Sequence, residues 1–86
     1  MRELEKILKA LANRRRLAIL KHLKENREAS VGEIADEINL SFKSTSRHLG
    51  TLAALDILEK DQRSLQVFYR LASQQKPAVK HILTIL

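Results

Sequence analysis

The sequence contains no cysteine, and it has only one proline, two glycines and 3% aromatic residues. Without thiols the chain cannot form a disulfide-stapled scaffold, a thiolate zinc site or an iron–sulfur cluster, and it has no cysteine nucleophile. The scarcity of glycine and proline argues against low-complexity linkers and against a turn-rich all-β fold. With so few aromatic side chains, a stacking platform for single-stranded nucleic acid is also disfavoured.

Length and composition indicate one folded domain over residues 1–86. Charged residues make up 30% of the sequence and hydrophobic residues 44%, which is typical of a globular chain rather than a disordered one. A chain of 86 residues is too short for two hydrophobic cores. The N-terminal segment carries acidic residues and no long apolar run, unlike a secretory signal, and we expect a cytoplasmic protein.

The charge balance is strongly positive and points to a polyanionic partner. Sixteen Lys and Arg residues against ten Asp and Glu residues give a formal net charge of +6. A small basic domain of this kind suits duplex nucleic acid or an anionic membrane surface. No apolar run approaches the roughly 20 residues that a membrane-spanning helix needs, so we expect no membrane insertion.

Hydrophobic periodicity predicts three helices in the first half of the chain. Residues 3–11 place apolar side chains on one side, and a second helix with the same pattern runs from a cap at Asn13 to about Lys24. Ser30 and Glu33 have the spacing of a capping box, in which the side chain of each residue bonds the backbone amide of the other. A third, short helix therefore follows Ser30.

A fourth helix, capped by Ser41, spans Phe42 to about Leu55. Thr45 and Leu49 lie on its inward side, with Leu52 one turn further on. Two short helices joined by a tight polar connection are a helix-turn-helix candidate.

After this helix the hydrophobic period changes from helical to alternating. Residues 57–60 and 65–71 are predicted as strands around a turn at 61–64, and Pro77 suits the first turn of a last helix over 77–86. The order α-α-α-α-β-β-α is mainly helical with one small β-hairpin. It predicts a winged helix-turn-helix fold.

The outward face of the fourth helix is the candidate DNA-reading surface, because the second helix of such a pair enters the major groove. Lys43, Ser46, Arg47 and Gly50 point outward, and Ser44 lies at the flank. Arginine can form a bidentate bond to guanine, serine can bond base edges or phosphates, and glycine permits close approach. The alternative is a winged-helix protein-interaction module, in which this face is only solvated.

Three segments resemble one known family. LKALANRRRLAIL at 8–20 is similar to the opening of ArsR-type winged-helix repressors, LSFKSTSRHL at 40–49 resembles their recognition helix, and VFYRL at 67–71 resembles their returning wing strand. The similarity covers about residues 4–72 in one consistent order. It implies a homodimeric transcriptional repressor that binds double-stranded DNA at a palindromic operator. It assigns the contact roles to Lys43, Ser44, Ser46 and Arg47.

Two departures from that family concern metal sensing. Many members bind metal through a Cys-x-Cys pair at the start of the third helix, where this chain has no thiol, and others use several His and acidic residues on the last helix, where it has only His81. His22, His48 and His81 fall on three different predicted helices, so neither a zinc shell nor a catalytic triad is expected. We therefore expect no metal site, no cofactor and no enzymatic activity.

Four arginines outside the recognition helix are further candidates. Arg14 and Arg15 point outward at the start of the second helix, where a cation opposes the helix dipole unless a phosphate lies nearby, and both are candidates for DNA backbone contact. Arg63, in the predicted wing turn, is a similar candidate. Arg16 falls inside the apolar stripe and is expected to pair with a carboxylate, because an unpaired buried charge is unfavourable.

The terminal helices, about 3–11 and 77–86, are the candidate dimerisation elements. Their apolar stripes comprise Leu4, Ile7, Leu8 and Leu11 in the first and Val79, Ile82, Leu83 and Leu86 in the last. Exposed stripes of this size mark interfaces, and a twofold dimer can read two half-sites of duplex DNA. The alternative is that both helices pack on the core of their own chain.

Overall fold

The computed structural model describes residues 1–86 and contains five helices. They are α1 (Arg2–Leu11), α2 (Arg14–Glu25), α3 (Val31–Ile38), α4 (Phe42–Ala54) and α5 (Pro77–Ile85). Each agrees with a helix predicted from periodicity to within two residues at either end. None of the five is long and apolar enough to cross a membrane.

Side-chain caps determine where three of these helices begin. Asn13 Oδ1 accepts from the Arg16 amide at 3.0 Å at the start of α2. Before α3, Ser30 Oγ accepts from the Glu33 amide at 3.2 Å while a Glu33 carboxylate oxygen accepts from the Ser30 amide at 2.8 Å, which confirms the capping box. Ser41 Oγ accepts from the Ser44 amide at 3.1 Å and starts α4.

The connection between α3 and α4 is a tight left-handed turn. Asn39 has a φ of 55°, a conformation that asparagine tolerates better than most residues. The Leu40 amide then donates to the Ala35 carbonyl at 3.0 Å, which ends α3. With only three residues between the two helices, the helix-turn-helix is rigidly set.

The sheet has three antiparallel strands, one more than predicted. They are β1 (Ala29–Ser30), β2 (Leu58–Arg63) and β3 (Gln66–Leu71), in the order β1-β3-β2. Ala29 lies opposite Tyr69 in the pairing of β1 with β3. A two-residue strand shows no period of its own, so its sequence looks like an ordinary polar connection.

The wing turn lies two residues later than predicted. The prediction of a turn at 61–64 is wrong, since β2 continues to Arg63, which pairs with Gln66, and only Ser64 and Leu65 connect the strands. Ser64 has a φ of 59°, as such a tight connection requires. A hairpin that projects into solvent exposes both faces, so polar residues at 61–63 do not end the strand.

The hydrophobic core lies where α2, α3 and α4 meet the base of the sheet. The side chains that are buried almost completely are Ile19, Leu20, Ile34, Leu49, Leu52, Ile57, Val79 and Thr45. The predicted inward face of α4 is therefore confirmed. The Thr45 hydroxyl has no hydrogen-bond partner, and nothing in the structure explains why this position carries one.

The stripes of the terminal helices divide between the core and the surface. In α1, Ile7 and Leu11 are buried in the chain's own core, whereas Leu4 is 41% and Leu8 50% exposed. In α5, Val79 is buried, while Ile82, Leu83 and Leu86 are partly buried against the core and Ile85 is exposed. Packing on the same chain thus uses one side of each helix and leaves another side free.

Substituting Ser30 by alanine should destabilise the domain by about 1 kcal/mol, because the first turn of α3 loses its capping hydroxyl. Urea denaturation followed by circular dichroism measures the change. Ser73→Ala is the matched control, since Ser73 is exposed and its hydroxyl makes no hydrogen bond in the chain. Equal free energies of unfolding for the Ser30 variant and the wild type would contradict the role given to the cap.

Candidate nucleic-acid interface

The outer face of α4 is exposed, whereas its inner face is buried in the core. Lys43, Ser46 and Arg47 are exposed, and Ser44 is half-buried. None of the ion pairs in the chain involves Lys43 or Arg47. Their charges are therefore available to an external partner.

Gly50 extends this exposed face by one turn. A Cβ atom built at Gly50 would meet no other atom within 4 Å, so internal packing does not require glycine there. The missing side chain instead leaves the helix backbone accessible, as close approach of a large ligand would need. The Thr51 hydroxyl, on the next residue, donates to the Arg47 carbonyl at 3.2 Å.

His48 is half-buried beside the exposed face rather than on it. Burial lowers the pKa of its imidazole, and the charges of Arg16, Arg47 and Arg15 lower it further. A lowered pKa keeps the ring neutral at pH 7. His48 thus adds apolar packing next to Arg47 without adding a charge.

The prediction that Arg15 points outward is wrong. Arg15 is half-buried, and its Nη1 donates to the Ile38 carbonyl at 3.1 Å, at the C-terminal end of α3. A cation at that position favourably satisfies carbonyls that the helix leaves free. The helical wheel could not show this because the acceptor lies 23 residues away. Arg14, by contrast, is exposed as predicted.

Arg16 is half-buried as predicted, but the expected carboxylate is absent. Its Nε atom is buried and has no hydrogen-bond partner, and no ion pair in the chain includes it. The prediction of an intramolecular ion pair is wrong, since no Asp or Glu side chain reaches the guanidinium.

Arg63 ends β2 instead of lying in the turn, and acidic neighbours hold its guanidinium. Its Nη1 and Nη2 donate to the two carboxylate oxygens of Glu28 at 2.6 and 2.8 Å, and its Nε donates to Asp61 at 2.9 Å. The group also lies 4.6 Å from the centroid of the Phe68 ring. We call this arrangement of Arg63, Glu28, Asp61 and Phe68 the wing clamp.

The wing clamp joins the hairpin to the segment that precedes β1. Hydrogen bonds from Arg63 lower the pKa of Glu28, and the bonds to Glu28 raise the pKa of Arg63, so both groups stay charged. A bidentate guanidinium–carboxylate pair fixes direction as well as distance. Sequence analysis missed Glu28, and no local pattern could identify it, because it lies 35 residues from Arg63.

Two exposed apolar side chains stand on either side of the gap between α4 and the wing. Phe42, at the start of α4, is 63% exposed, and Leu65, at the wing tip, is 97% exposed. They help to line a depression of about 210 Å³ to which Ser46 and Gln66 also contribute. Recognition helix and wing tip are thus the two rims of one concave surface.

Imidazole and carboxylate groups do not converge elsewhere in the fold. No group of three or more His, Asp or Glu side chains is close enough to hold a metal ion. His22 Nδ1 lies 4.0 Å from a Glu37 carboxylate, and His81 is exposed on α5.

Comparison with known proteins identifies relatives of the whole domain. The sequence matches the protein family described as a helix-turn-helix domain over residues 11–61, more than half of the chain. The transcriptional activator HlyU of Vibrio cholerae serotype O1 is 39% identical over 77 residues, which cover 90% of this chain and 70% of that protein. The structure of reduced HlyU from Vibrio cholerae has a TM-score of 0.82 at 36% identity, covering 98% of this chain and 84% of that one.

Two further solved structures are similar over nearly the whole chain. One is the homodimeric winged helix-turn-helix DNA-binding domain Mb0332 from Mycobacterium bovis, a possible ArsR-family transcriptional regulator, with a TM-score of 0.79, 28% identity and coverage of 96% of this chain and 73% of that one. The other is the antimony-specific transcriptional repressor AntR, with a TM-score of 0.81, 26% identity and coverage of 96% and 72%. The chain belongs to the ArsR-type family of winged helix-turn-helix transcriptional regulators.

Proposed function

We propose that the protein is a homodimer that binds a palindromic duplex operator in the cytoplasm and represses transcription there. The observation that carries this proposal is the outer face of α4, where Lys43, Ser46 and Arg47 project from a helix held rigidly by its buried inner face. Rigid presentation of a few polar side chains is what major-groove reading requires. A bound dimer of this kind represses by occupying DNA that polymerase needs.

The distribution of ion pairs supports assigning DNA contacts to particular cations. Arg63, Arg70 and Lys76 are engaged with carboxylates of the chain. Lys43, Arg47 and Arg14 are exposed and unpaired, so they can meet phosphates or base edges without breaking an existing ion pair. We assign Arg47 to base contact, Lys43, Ser44 and Ser46 to base or phosphate contact, and Arg14 to phosphate.

Arg15 and Arg63 have indirect roles in this proposal. Arg15 bonds the end of α3 and so helps to fix the helix-turn-helix. Arg63 holds the wing against Glu28, and three of its five N–H donors are already used by Glu28 and Asp61. It therefore acts on DNA binding by positioning the wing, with Leu65 at the tip free to touch the groove or its rim.

The exposed side of α1 supports a twofold dimer. Leu4 and Leu8 line a mainly apolar groove of about 360 Å³ together with Met1 and Ala12, and Glu5 and Lys9 lie at its edge. The exposed Ile85 of α5 provides a second apolar position. Continuous apolar surface of this kind is covered in a stable protein, and a second copy covers it symmetrically.

Selection of bound sites from a random duplex pool tests the proposed function. The wild type should enrich a palindrome, and Arg47→Ala should lose base preference at one position in each half-site, at a cost of about 1–3 kcal/mol per half-site. Arg14→Ala should weaken binding to all duplexes alike and lower the salt slope by about 0.9 for each phosphate that is no longer neutralised.

Binding that converges on no sequence would overturn the proposal in favour of the protein-interaction module. Unchanged preference in the Arg47 variant would show instead that α4 is not the reading element.

The wing clamp predicts that removing an acidic side chain weakens DNA binding, whereas electrostatic attraction alone would predict tighter binding. Removing the acid in Glu28→Ala raises the net charge, yet it should weaken operator binding because the wing loses its anchor. Arg63→Ala should weaken binding to a similar extent, the double variant should be no worse than either single variant, and fluorescence anisotropy at several salt concentrations should give an unchanged salt slope.

Glu59→Ala is the matched control for the clamp. Glu59 pairs with Arg70 at 3.2 Å within the hairpin, so its loss removes a wing carboxylate without detaching the wing. Tighter DNA binding by Glu28→Ala, with a smaller salt slope for Arg63→Ala, would show that Arg63 contacts phosphate directly.

The dimer should dissociate when a charge is placed on α1. Leu8→Glu removes a half-exposed leucine, whose burial in an interface is worth about 1.5–3 kcal/mol, and it introduces two facing carboxylates. Light scattering at micromolar concentration should give the mass of one chain, with a circular dichroism spectrum like that of the wild type. Gln74→Glu, on an exposed connection, should remain dimeric. A wild-type protein with the mass of one chain would contradict the proposed dimer.

A further inference from the structure

A second concave surface lies between α1, α2 and the C-terminal half of α4. Lys6 and Lys9 of α1 and Arg16 of α2 contribute to its wall, and Ala10, Ala54 and Leu55 form the apolar part. The cleft has a volume of about 520 Å³, within the range of small-molecule sites. No carboxylate lines it.

The cations of this cleft lack partners within the chain. No ion pair includes Lys6, Lys9 or Arg16, and the buried Nε of Arg16 has no acceptor. No side chain or carbonyl of the chain bonds the Arg16 guanidinium, so its Nη donors are free to take an acceptor from outside the chain. The Thr51 hydroxyl is already bonded to the Arg47 carbonyl, so recognition falls to the three cations.

We propose that this cleft binds a small dissolved oxyanion, the carboxylate or phosphate group of a metabolite, with Arg16 as the principal contact and Lys6 and Lys9 as supporting charges. Guanidinium donors suit the oxygens of either group. The apolar wall gives room for a short organic part beside the charged head.

The cleft is connected to the recognition helix, and this step depends on the proposed function. Arg16 lines the same cleft as Thr51 and Ala54 of α4, and the Thr51 hydroxyl bonds the carbonyl of Arg47. An anion bound there cancels positive charge beside α4. Operator affinity therefore falls, and by reciprocity DNA lowers the affinity for the anion by the same factor.

Binding is tested on the free protein, without DNA, by titrating inorganic phosphate at constant ionic strength against chloride. In amide correlation spectra the signals of Ala10, Thr51 and Leu55 should shift and saturate. Lys6→Gln should weaken phosphate binding about two- to fivefold, as expected for one exposed charge. Arg16→Gln should weaken it about tenfold or more. Lys21→Gln, with the same charge change on α2 outside the cleft, should leave it unchanged.

Lys6→Gln keeps the test decisive if the Arg16 variant fails to fold, because Lys6 is exposed and does not line the groove of the proposed dimer contact. Absence of saturation, or equal shifts at every basic residue, overturns the site. A salt slope of DNA binding lowered by about 0.9 in Lys6→Gln would mean that the oxyanion is a DNA phosphate, which overturns the small-molecule assignment.

A separate measurement tests the coupling to DNA. Saturating phosphate should lower operator affinity about fivefold at constant ionic strength. Saturable phosphate binding with unchanged operator affinity overturns the coupling alone. Sequence-specific DNA binding without any phosphate site overturns this inference and leaves the proposed function standing.

Discussion

The inner side of α4 is buried almost completely at Thr45, Leu49 and Leu52. The positions of the candidate DNA contacts on the outer side of the helix follow from that packing. A helix repeats every 3.6 residues, so burial at these three positions directs Lys43 and Arg47 to the opposite side and Ser46 to the flank. Rotating α4 by one residue would bring Ser46 into the core and expose Leu52, so apolar burial would be lost. The reading face is thus determined by the core, and its own residues are free to vary with the partner.

The carboxylates determine which cations remain free. Glu28 and Asp61 engage Arg63, Glu59 engages Arg70, and Glu3 engages Lys76. No acid pairs with the cations of α4 or of the first turn of α2. Unpaired positive charge therefore remains on α4 and on the first turn of α2. The net charge of +6 can be read from the sequence, but which cations are free to bind an external partner is shown only by the tertiary structure.

Local signals in the sequence were sufficient to predict the helices. The caps at Asn13, Ser30 and Ser41 depend on contacts three residues apart, and Pro77 acts at its own position, so each could be identified before the fold was known. The exposed residues of α4 followed from the same periodicity.

Features that depend on distant residues could not be predicted. Strand β1 exists because Ala29 pairs with Tyr69, and Arg15 turns inward because Ile38 offers a carbonyl. Arg63 is bonded by Glu28, which lies 35 residues earlier in the sequence, before the helix-turn-helix. The ion pair predicted for Arg16 is wrong for the same reason. The sequence shows that the charge lies on the apolar side of α2, but not whether any carboxylate can reach it.

Ser30 links the wing to the helix-turn-helix. The same residue pairs with Phe68 in the sheet, caps α3 through its hydroxyl and donates its amide to Glu33. Separating β1 from β3 would therefore disturb the sheet at the very residue that caps α3. Glu28 adds its pair with Arg63 two residues earlier. The wing is therefore joined to the segment that leads into α3 at two places, at β1 and at the pair of Glu28 with Arg63 beside the wing tip.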